Sequence, residues 1–206
     1  MEQIFEADGI RGMLHLPGKP TGDGLALTHG ASADSNTLLL TSLARAFEEA
    51  GLVVLRYDLP FRVLRPKGSP FPAGAKRDRE GVQAAVAEVR KHAPRRVFAG
   101  GHSYGGRQTA MAAAEHPALA DGLLLLSYPL HPPGHPEKLR TAFFPELRIP
   151  TLFVHGSRDP FGSLEELQNE IQQIHARAEI LPVERSGHDL KAAVPLSGTI
   201  LARMLS

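Results

Sequence analysis

The chain contains no cysteine among its 206 residues. This absence excludes disulfide bonds, thiolate metal sites and a cysteine nucleophile, and it is typical of proteins from a reducing compartment. An excess of charge of one sign is also lacking, because 23 Lys and Arg residues face 22 Asp and Glu residues. A balanced chain offers no long-range field for nucleic acid or for an anionic membrane, so we expect neither as a partner.

Long hydrophobic runs are absent too. No apolar stretch approaches the roughly 20 residues of a membrane-spanning helix, and the N-terminal residues MEQIFEADGIRGMLHLPG lack a basic segment followed by an apolar one. This pattern argues against a signal peptide, and we expect a soluble protein of the cytoplasm. With 42% hydrophobic residues the chain can bury one substantial core, which favours a single domain over residues 1–206.

Short apolar runs that end in Gly, Pro or Asp alternate with longer amphipathic stretches. This alternation is typical of a mostly parallel, doubly wound sheet with helices on both faces, which is a three-layer α/β/α sandwich. Strands are predicted at six runs: GLALTHG, LVVLRYDLP, RVFAGGH, GLLLLSYP, TLFVHGS and AEILPVE. Helices are predicted at five: Leu38–Ala50, Asp78–His92, Tyr104–Glu115, Ser163–His175 and Leu190–Met204.

Two segments rich in proline and glycine interrupt this alternation. They span residues 61–76 and 131–150, and each follows the C-terminal end of a predicted strand, where open parallel sheets bind their ligands. Neither segment is expected to form a long helix. Near the N-terminus, GIRGMLHLPGKPTGDG predicts a hairpin that adds antiparallel strands at the edge of the sheet.

The segment Gly101–Gly105, GHSYG, lies between a predicted strand and a predicted helix. It matches G-x-S-x-G, in which a tight strand-to-helix turn lifts a serine hydroxyl above the edge of the sheet. The flanking glycines remove side chains that would collide in such a turn, and the helix N-terminus provides a positive end for a developing oxyanion. The motif alone leaves two interpretations open: Ser103 is a nucleophile, or it caps the helix in an ordinary turn.

A serine nucleophile needs a base that accepts its proton and a carboxylate that orients the base. In α/β folds that carry a serine nucleophile on such a turn, the acid follows the serine in the chain and lies at the end of a later strand, and the histidine follows the acid. Asp159 in TLFVHGSRDPFG and His188 in ERSGHDLK occupy these two places. Taken alone, Asp159 could be a turn former before proline, and His188 could be a solvated loop residue. Their joint order favours a catalytic triad of Ser103, Asp159 and His188.

Two backbone N–H groups are expected to form an oxyanion hole. One belongs to Tyr104, the residue after the nucleophile, and the other to Ala31 in the loop LTHGASADSN. His29 in the same loop could act as a second base. Its place at a strand end before glycine instead favours a role in ordering the loop.

With these residues, the chain resembles an α/β-hydrolase from about residue 22 to its end. The stretches GLLLLSYPLHPPGHPEKLR and IPTLFVHGSRDPFG are similar to a dienelactone-hydrolase-like branch of mostly uncharacterised bacterial hydrolases. That branch includes the hydrolase-like domain in a subunit of an animal histone-acetyltransferase complex. The resemblance implies a serine hydrolase with a minimal eight-stranded sheet and with Ser103, Asp159 and His188 as its triad. Dienelactone hydrolases proper use a cysteine nucleophile, which this chain lacks.

These observations favour a carboxylesterase-like serine hydrolase that acts on a small ester or related acyl substrate. Only the segment 131–150 lies where many hydrolases of this fold carry a helical cap, so we expect no cap and a shallow, open site. Its expected walls are Tyr104, Tyr128, Pro129, Phe161 and the segment 61–76, in which Arg62 and Arg65 could bind a substrate carboxylate or remain solvated.

No metal or organic cofactor is implied. The two histidines of HPPGH are four positions apart, as in some metal sites, but the prolines and glycine between them prevent a shared helical face. Fold alone does not decide activity, and some members of the branch work as interaction domains. A binding or scaffold module with little or no catalytic activity is therefore the alternative to an enzyme.

Overall fold

The computed structural model describes all residues from 1 to 206. It contains eight strands: β1 (Glu2–Ala7), β2 (Ile10–His15), β3 (Gly24–Thr28), β4 (Val53–Asp58), β5 (Val97–His102), β6 (Gly122–Leu126), β7 (Thr151–Gly156) and β8 (Ala178–Val183). They form one sheet in the order β1-β2-β4-β3-β5-β6-β7-β8. β2 is antiparallel to both of its neighbours, β1 and β4, and all other neighbouring strands are parallel. The mostly parallel sheet and its six predicted strands, which are β3 to β8, are thus confirmed.

All five predicted helices are present, with one short addition. The helices are α1 (Leu38–Glu49), α2 (Pro60–Leu64), α3 (Ala75–His92), α4 (Tyr104–Glu115), α5 (Leu164–Glu170) and α6 (Ser197–Leu205). Two predicted ranges are too long for one α-helix. The range that begins at Ser163 ends as an α-helix at Glu170 and continues as a 3₁₀ turn. The range that begins at Leu190 is first a 3₁₀ segment, because Pro195 cannot donate an α-helical hydrogen bond.

Apolar side chains cover both faces of the sheet. In β6, Leu123 and Leu125 belong to a core beneath α3, α4 and α5, whereas Leu124 and Leu126 belong to a core beneath α1 and α6. Helices therefore sandwich the sheet from both sides, in the predicted three-layer α/β/α arrangement without a separate cap domain. None of the helices has the length and hydrophobicity that crossing a membrane requires.

The antiparallel hairpin lies earlier in the chain than predicted. β1 pairs with β2 so that Ala7 faces Ile10, and the turn between them is Asp8-Gly9. Both turn residues have positive φ, 52° and 75°, which is the backbone of a two-residue type I′ turn and is favoured by Asp-Gly. Residues 16–23, which the prediction included, form the connection to β3 instead.

The site is located by a reversal of strand order at β3. β4 lies on one side of β3 and β5 on the other, so the loops that follow β3 and β5 leave the sheet at a switch point. Thr28 pairs with Gly101 at the ends of these two strands. The loop after β3 therefore lies directly beside the turn that contains Ser103, at the edge where open α/β sheets bind ligands.

Gly105, in the first turn of α4, packs against the backbone of the loop after β3. A Cβ atom at this position would overlap the carbonyl oxygen of His29 and lie 2.7 Å from Thr28 Cγ2. Gly105→Ala is therefore expected to lower the free energy of unfolding by about 1–3 kcal/mol, measured by denaturant titration.

Gly198→Ala is the matched control for this prediction. A Cβ atom on Gly198, in α6, would meet no atom within 4 Å, and alanine in a helix is favoured over glycine by up to about 1 kcal/mol. This variant should be neutral or slightly stabilised. Equal unfolding midpoints for the two variants would contradict the close approach at Gly105.

Candidate active site

Ser103 lies in the tight turn between β5 and α4. Its backbone has φ 51° and ψ −117°, a strained conformation that few residues other than glycine adopt. The side chain makes no capping hydrogen bond to α4, so the interpretation of Ser103 as a helix cap is wrong. The Ser103 N–H donates to the carbonyl of Leu126 at 2.8 Å, which fastens the turn to the end of β6.

Three side chains predicted to act together meet above the ends of β5, β7 and β8. Ser103 Oγ lies 2.7 Å from His188 Nε2, and His188 Nδ1 lies 2.8 Å from Asp159 Oδ2. An ionised carboxylate can only accept hydrogen bonds, so Nδ1 carries the proton and Nε2 is left to accept from the serine hydroxyl. This is the tautomer in which the ring can take a proton from Ser103.

Asp159 is buried at the end of β7 and held by its own loop. Its Oδ1 accepts a hydrogen bond from the Phe161 N–H at 2.9 Å, so Asp159 is a turn former as well as the partner of His188. Burial alone would raise the pKa of the Asp159 carboxyl, but hydrogen bonds from His188 and from the Phe161 N–H outweigh it and keep this pKa below its ordinary value. His155, fully buried beneath, hydrogen-bonds to the carbonyl of Gly162 at 2.8 Å and orders the same loop.

The position of the His188 ring is set from two sides. The Phe161 ring stacks on it with a centroid distance of 4.1 Å, and His102 Nε2 lies 2.7 Å from the His188 carbonyl oxygen. Burial lowers the pKa of His102 to about 4, so at neutral pH its ring is uncharged and donates Nε2–H to that carbonyl. The sequence reasoning missed His102, although its place directly before Ser103 at the strand end was a local indication.

The two residues predicted to supply oxyanion donors lie beside Ser103. Tyr104 is the first residue of α4, so its N–H has no acceptor within the helix, and Ala31 lies in the loop after β3. His29 is fully buried, with Nδ1 against the Gly30 carbonyl at 2.8 Å and Nε2 accepting from the Leu59 N–H at 3.1 Å. Both ring nitrogens are thus engaged by backbone, which confirms the predicted role of His29 in ordering the loop.

A pocket of about 320 Å³ opens beside Ser103. Its walls come from the loop after β3 (residues 30–33), from the turn around Ser103, and from residues that follow β6, β7 and β8. Pro129 and Phe161 line it as predicted. The pocket is also lined by two arginines that the sequence reasoning missed, Arg107 and Arg140. Arg107 stands one helical turn after Ser103, which was a local indication of its nearness.

The structure corrects the predicted pocket walls at two residues and one segment. Tyr128 is fully buried in the core, where its hydroxyl donates to the Arg140 carbonyl at 2.6 Å. Arg62 is neither a substrate ligand nor a solvated charge: its guanidinium is buried and donates to four backbone carbonyls, two of them on Ala31 and Ala33. No residue of the segment 61–76 lines the pocket.

One cluster away from the pocket has side chains of the metal-binding types. It consists of Glu2, His15 and Glu48. Arg56 Nε donates to His15 Nε2 at 3.0 Å, which leaves Nδ1 to donate to Glu48 at 3.0 Å. Because both ring nitrogens are occupied, we assign the cluster to fastening the N-terminal hairpin against α1.

Comparisons with known proteins agree with this fold. A family model described as an alpha/beta hydrolase domain matches residues 22–205. An alpha/beta serine hydrolase homologue from Coxiella burnetii superposes with a TM-score of 0.77 at 17% identity, over 99% of this chain and 97% of that one. A serine hydrolase without a lid from Xanthomonas campestris gives 0.77 at 18%, over 98% and 92%. A dienelactone hydrolase from Anabaena variabilis gives 0.74 at 20%, over 99% and 97%.

The depressed pKa of His102 predicts acid sensitivity. An unfolded histidine takes up its proton near pH 6.5, whereas folded His102 does so only near pH 4, so between these values the unfolded state binds more protons. The free energy of unfolding therefore falls as the pH falls through this range. The side chain of His102→Gln cannot titrate. Between pH 6.5 and 4, the free energy of unfolding of this variant is therefore expected to fall by about 3 kcal/mol less than that of the wild type.

Denaturant titrations over a pH series measure this difference. His175→Gln, at an exposed histidine, is the matched control and should follow the wild-type curve. If His102→Gln followed that curve too, the ring of His102 would not be held neutral by the fold.

Proposed function

The chain belongs to the alpha/beta-hydrolase family, and we propose that it is a serine hydrolase that cleaves small esters with Ser103, Asp159 and His188. The observation that carries this proposal is the 2.7 Å contact between Ser103 Oγ and His188 Nε2. A serine hydroxyl is a useful nucleophile only where a base can take its proton. The strained backbone of Ser103 and the buried carboxylate behind His188 support the same assignment.

In the proposed acylation step, Ser103 Oγ attacks the acyl carbon while His188 Nε2 accepts the hydroxyl proton. Asp159 keeps the Nδ1–H tautomer and stabilises the imidazolium that forms. The N–H groups of Tyr104 and Ala31 donate to the oxyanion of the tetrahedral intermediate. When this intermediate collapses, His188 passes its proton to the leaving alkoxide, and the alcohol departs.

In the deacylation step, water takes the place of the alcohol. His188 removes a proton from the water as its oxygen attacks the acyl carbon, and the second tetrahedral intermediate uses the same two N–H donors. Collapse returns the proton to Ser103 Oγ and releases the carboxylic acid. All of these steps use residues of this chain and water.

The small size of the proposed substrate follows from the pocket. It has a volume of about 320 Å³, and only 4 of its 12 lining residues are hydrophobic. No cap domain extends it with an apolar channel. A long acyl chain would therefore leave most of its length in water and gain little from burial.

A fluorophosphonate probe tests the nucleophile. The folded wild type is expected to be labelled, and Ser103→Ala is expected to lose the label, because only Ser103 has a histidine ring within hydrogen-bonding distance of its hydroxyl. Ser69→Ala, at an exposed serine of another loop, should label like the wild type. A folded wild type that resists the probe would favour the binding-module alternative instead.

A series of 4-nitrophenyl esters from acetate to dodecanoate tests the size of the substrate. We expect kcat/KM to stop rising once the acyl chain outgrows the pocket, with Ser103→Ala as the blank. Continued growth of roughly fourfold per added methylene, the factor for full burial of each one, would contradict the open pocket.

A further inference from the structure

Two arginines beside Ser103 have no acidic partner. Arg107 and Arg140 both line the pocket, and neither lies within 4.0 Å of any carboxylate oxygen. By contrast, Arg96 pairs with Asp23 at 2.8 Å and Arg79 with Glu115 at 2.9 Å. The pocket therefore holds two positive charges with no negative charge from the protein to match them.

The donors of these arginines are also incompletely used. Arg107 Nε is buried without a hydrogen-bond partner. The only acceptor of the Arg140 guanidinium is the Pro129 carbonyl, at the long distance of 3.5 Å. A buried guanidinium N–H without an acceptor is unfavourable, because it has lost its water and gained nothing in return.

The two charges act on each other. Burial and the nearby positive charge of Arg107 both lower the pKa of the Arg140 guanidinium. Like charges that repel in this way destabilise the fold unless an anion lies near them. An anionic group in the pocket would relieve the repulsion and supply acceptors to both guanidinium groups.

Both arginines are held in place near the nucleophile. The Arg107 N–H donates to the Ser103 carbonyl at 2.9 Å, so α4 carries the nucleophile and this charge as one unit. The Arg140 N–H donates to the Leu130 carbonyl at 2.8 Å, which anchors Arg140 to the residues that follow β6. Binding of an anion here needs little rearrangement of the backbone.

We propose that the substrate of Ser103 carries a carboxylate, which Arg107 and Arg140 bind while the ester lies at the nucleophile. This inference rests on the proposed function and names its substrate class: monoesters of small dicarboxylic acids and related anionic esters. The planar guanidinium fork matches a carboxylate in shape and charge. In a pocket of about 320 Å³ a carboxylate also leaves room for the ester.

A pair of esters with the same five-carbon acyl chain tests the assignment. Monoethyl glutarate ends in a carboxylate and ethyl pentanoate in a methyl group, and proton release in a pH-stat measures the hydrolysis of both. The wild type is expected to prefer monoethyl glutarate in kcat/KM. Arg107→Gln and Arg140→Gln should each reduce that preference by roughly 10- to 100-fold, the range for losing a charged hydrogen bond.

Arg148→Gln is the matched control, since Arg148 is exposed in the same segment as Arg140 and lies outside the pocket. Its preference should equal that of the wild type. Thermal unfolding of each variant separates a lost contact from a lost fold, and Arg140→Gln provides the test if Arg107→Gln does not fold.

Calorimetric binding of monoethyl glutarate to Ser103→Ala keeps the two proposals apart. Labelling of Ser103 by the fluorophosphonate together with no preference for monoethyl glutarate would overturn the anion assignment alone. The opposite result would be no labelling of Ser103, together with binding of monoethyl glutarate to Ser103→Ala that disappears in the double variant Ser103→Ala, Arg140→Gln. This result would overturn the proposed hydrolysis and support the anion site.

Discussion

The contact between the Ser103 turn and the loop after β3 governs the arrangement of the whole site. Gly105 omits the side chain that would hold these two backbone segments apart, and Gly101 omits one that would collide with the first turn of α4. Ser103 is left with a φ of 51°. In a residue other than glycine such a conformation costs on the order of 1–3 kcal/mol. Two hydrophobic cores, one on each face of the sheet, supply the stability that maintains it. The strain leaves the Ser103 hydroxyl directed at His188 instead of at the end of its own helix.

Much of the sheet could be predicted because its central strands are short apolar runs with clear ends. β6 is a run of four buried leucines after Gly122, and its residues serve both cores in alternation. The first strand could not be recognised in the same way, since all of β1 except Phe5 is exposed and the strand has no apolar face. Its only local indication was the Asp8-Gly9 turn, whose backbone preference identifies a hairpin without help from hydrophobicity.

The candidate triad could be predicted because fold topology dictates the order of its members along the chain. The residues that line the pocket around it could not be predicted, since partners far away in the sequence decide whether a side chain is available to a ligand. Arg62 resembles a loop cation in the sequence, yet its guanidinium donates a hydrogen bond to the carbonyl of Ala31, 31 positions away. Arg107 is the reverse case. Its nearness to Ser103 is visible in the sequence, but the lack of any facing carboxylate emerges only when the chain has folded.

The uncapped pocket also decides what would become of an acyl group once Ser103 carries it. Enzymes that pass such a group to another alcohol or to an amine must keep bulk water away from the intermediate. Here no domain covers the turn, and water outnumbers every competing acceptor. In the proposed mechanism the open architecture would therefore commit the intermediate to hydrolysis rather than to acyl transfer, and it leaves no lid whose opening would limit turnover.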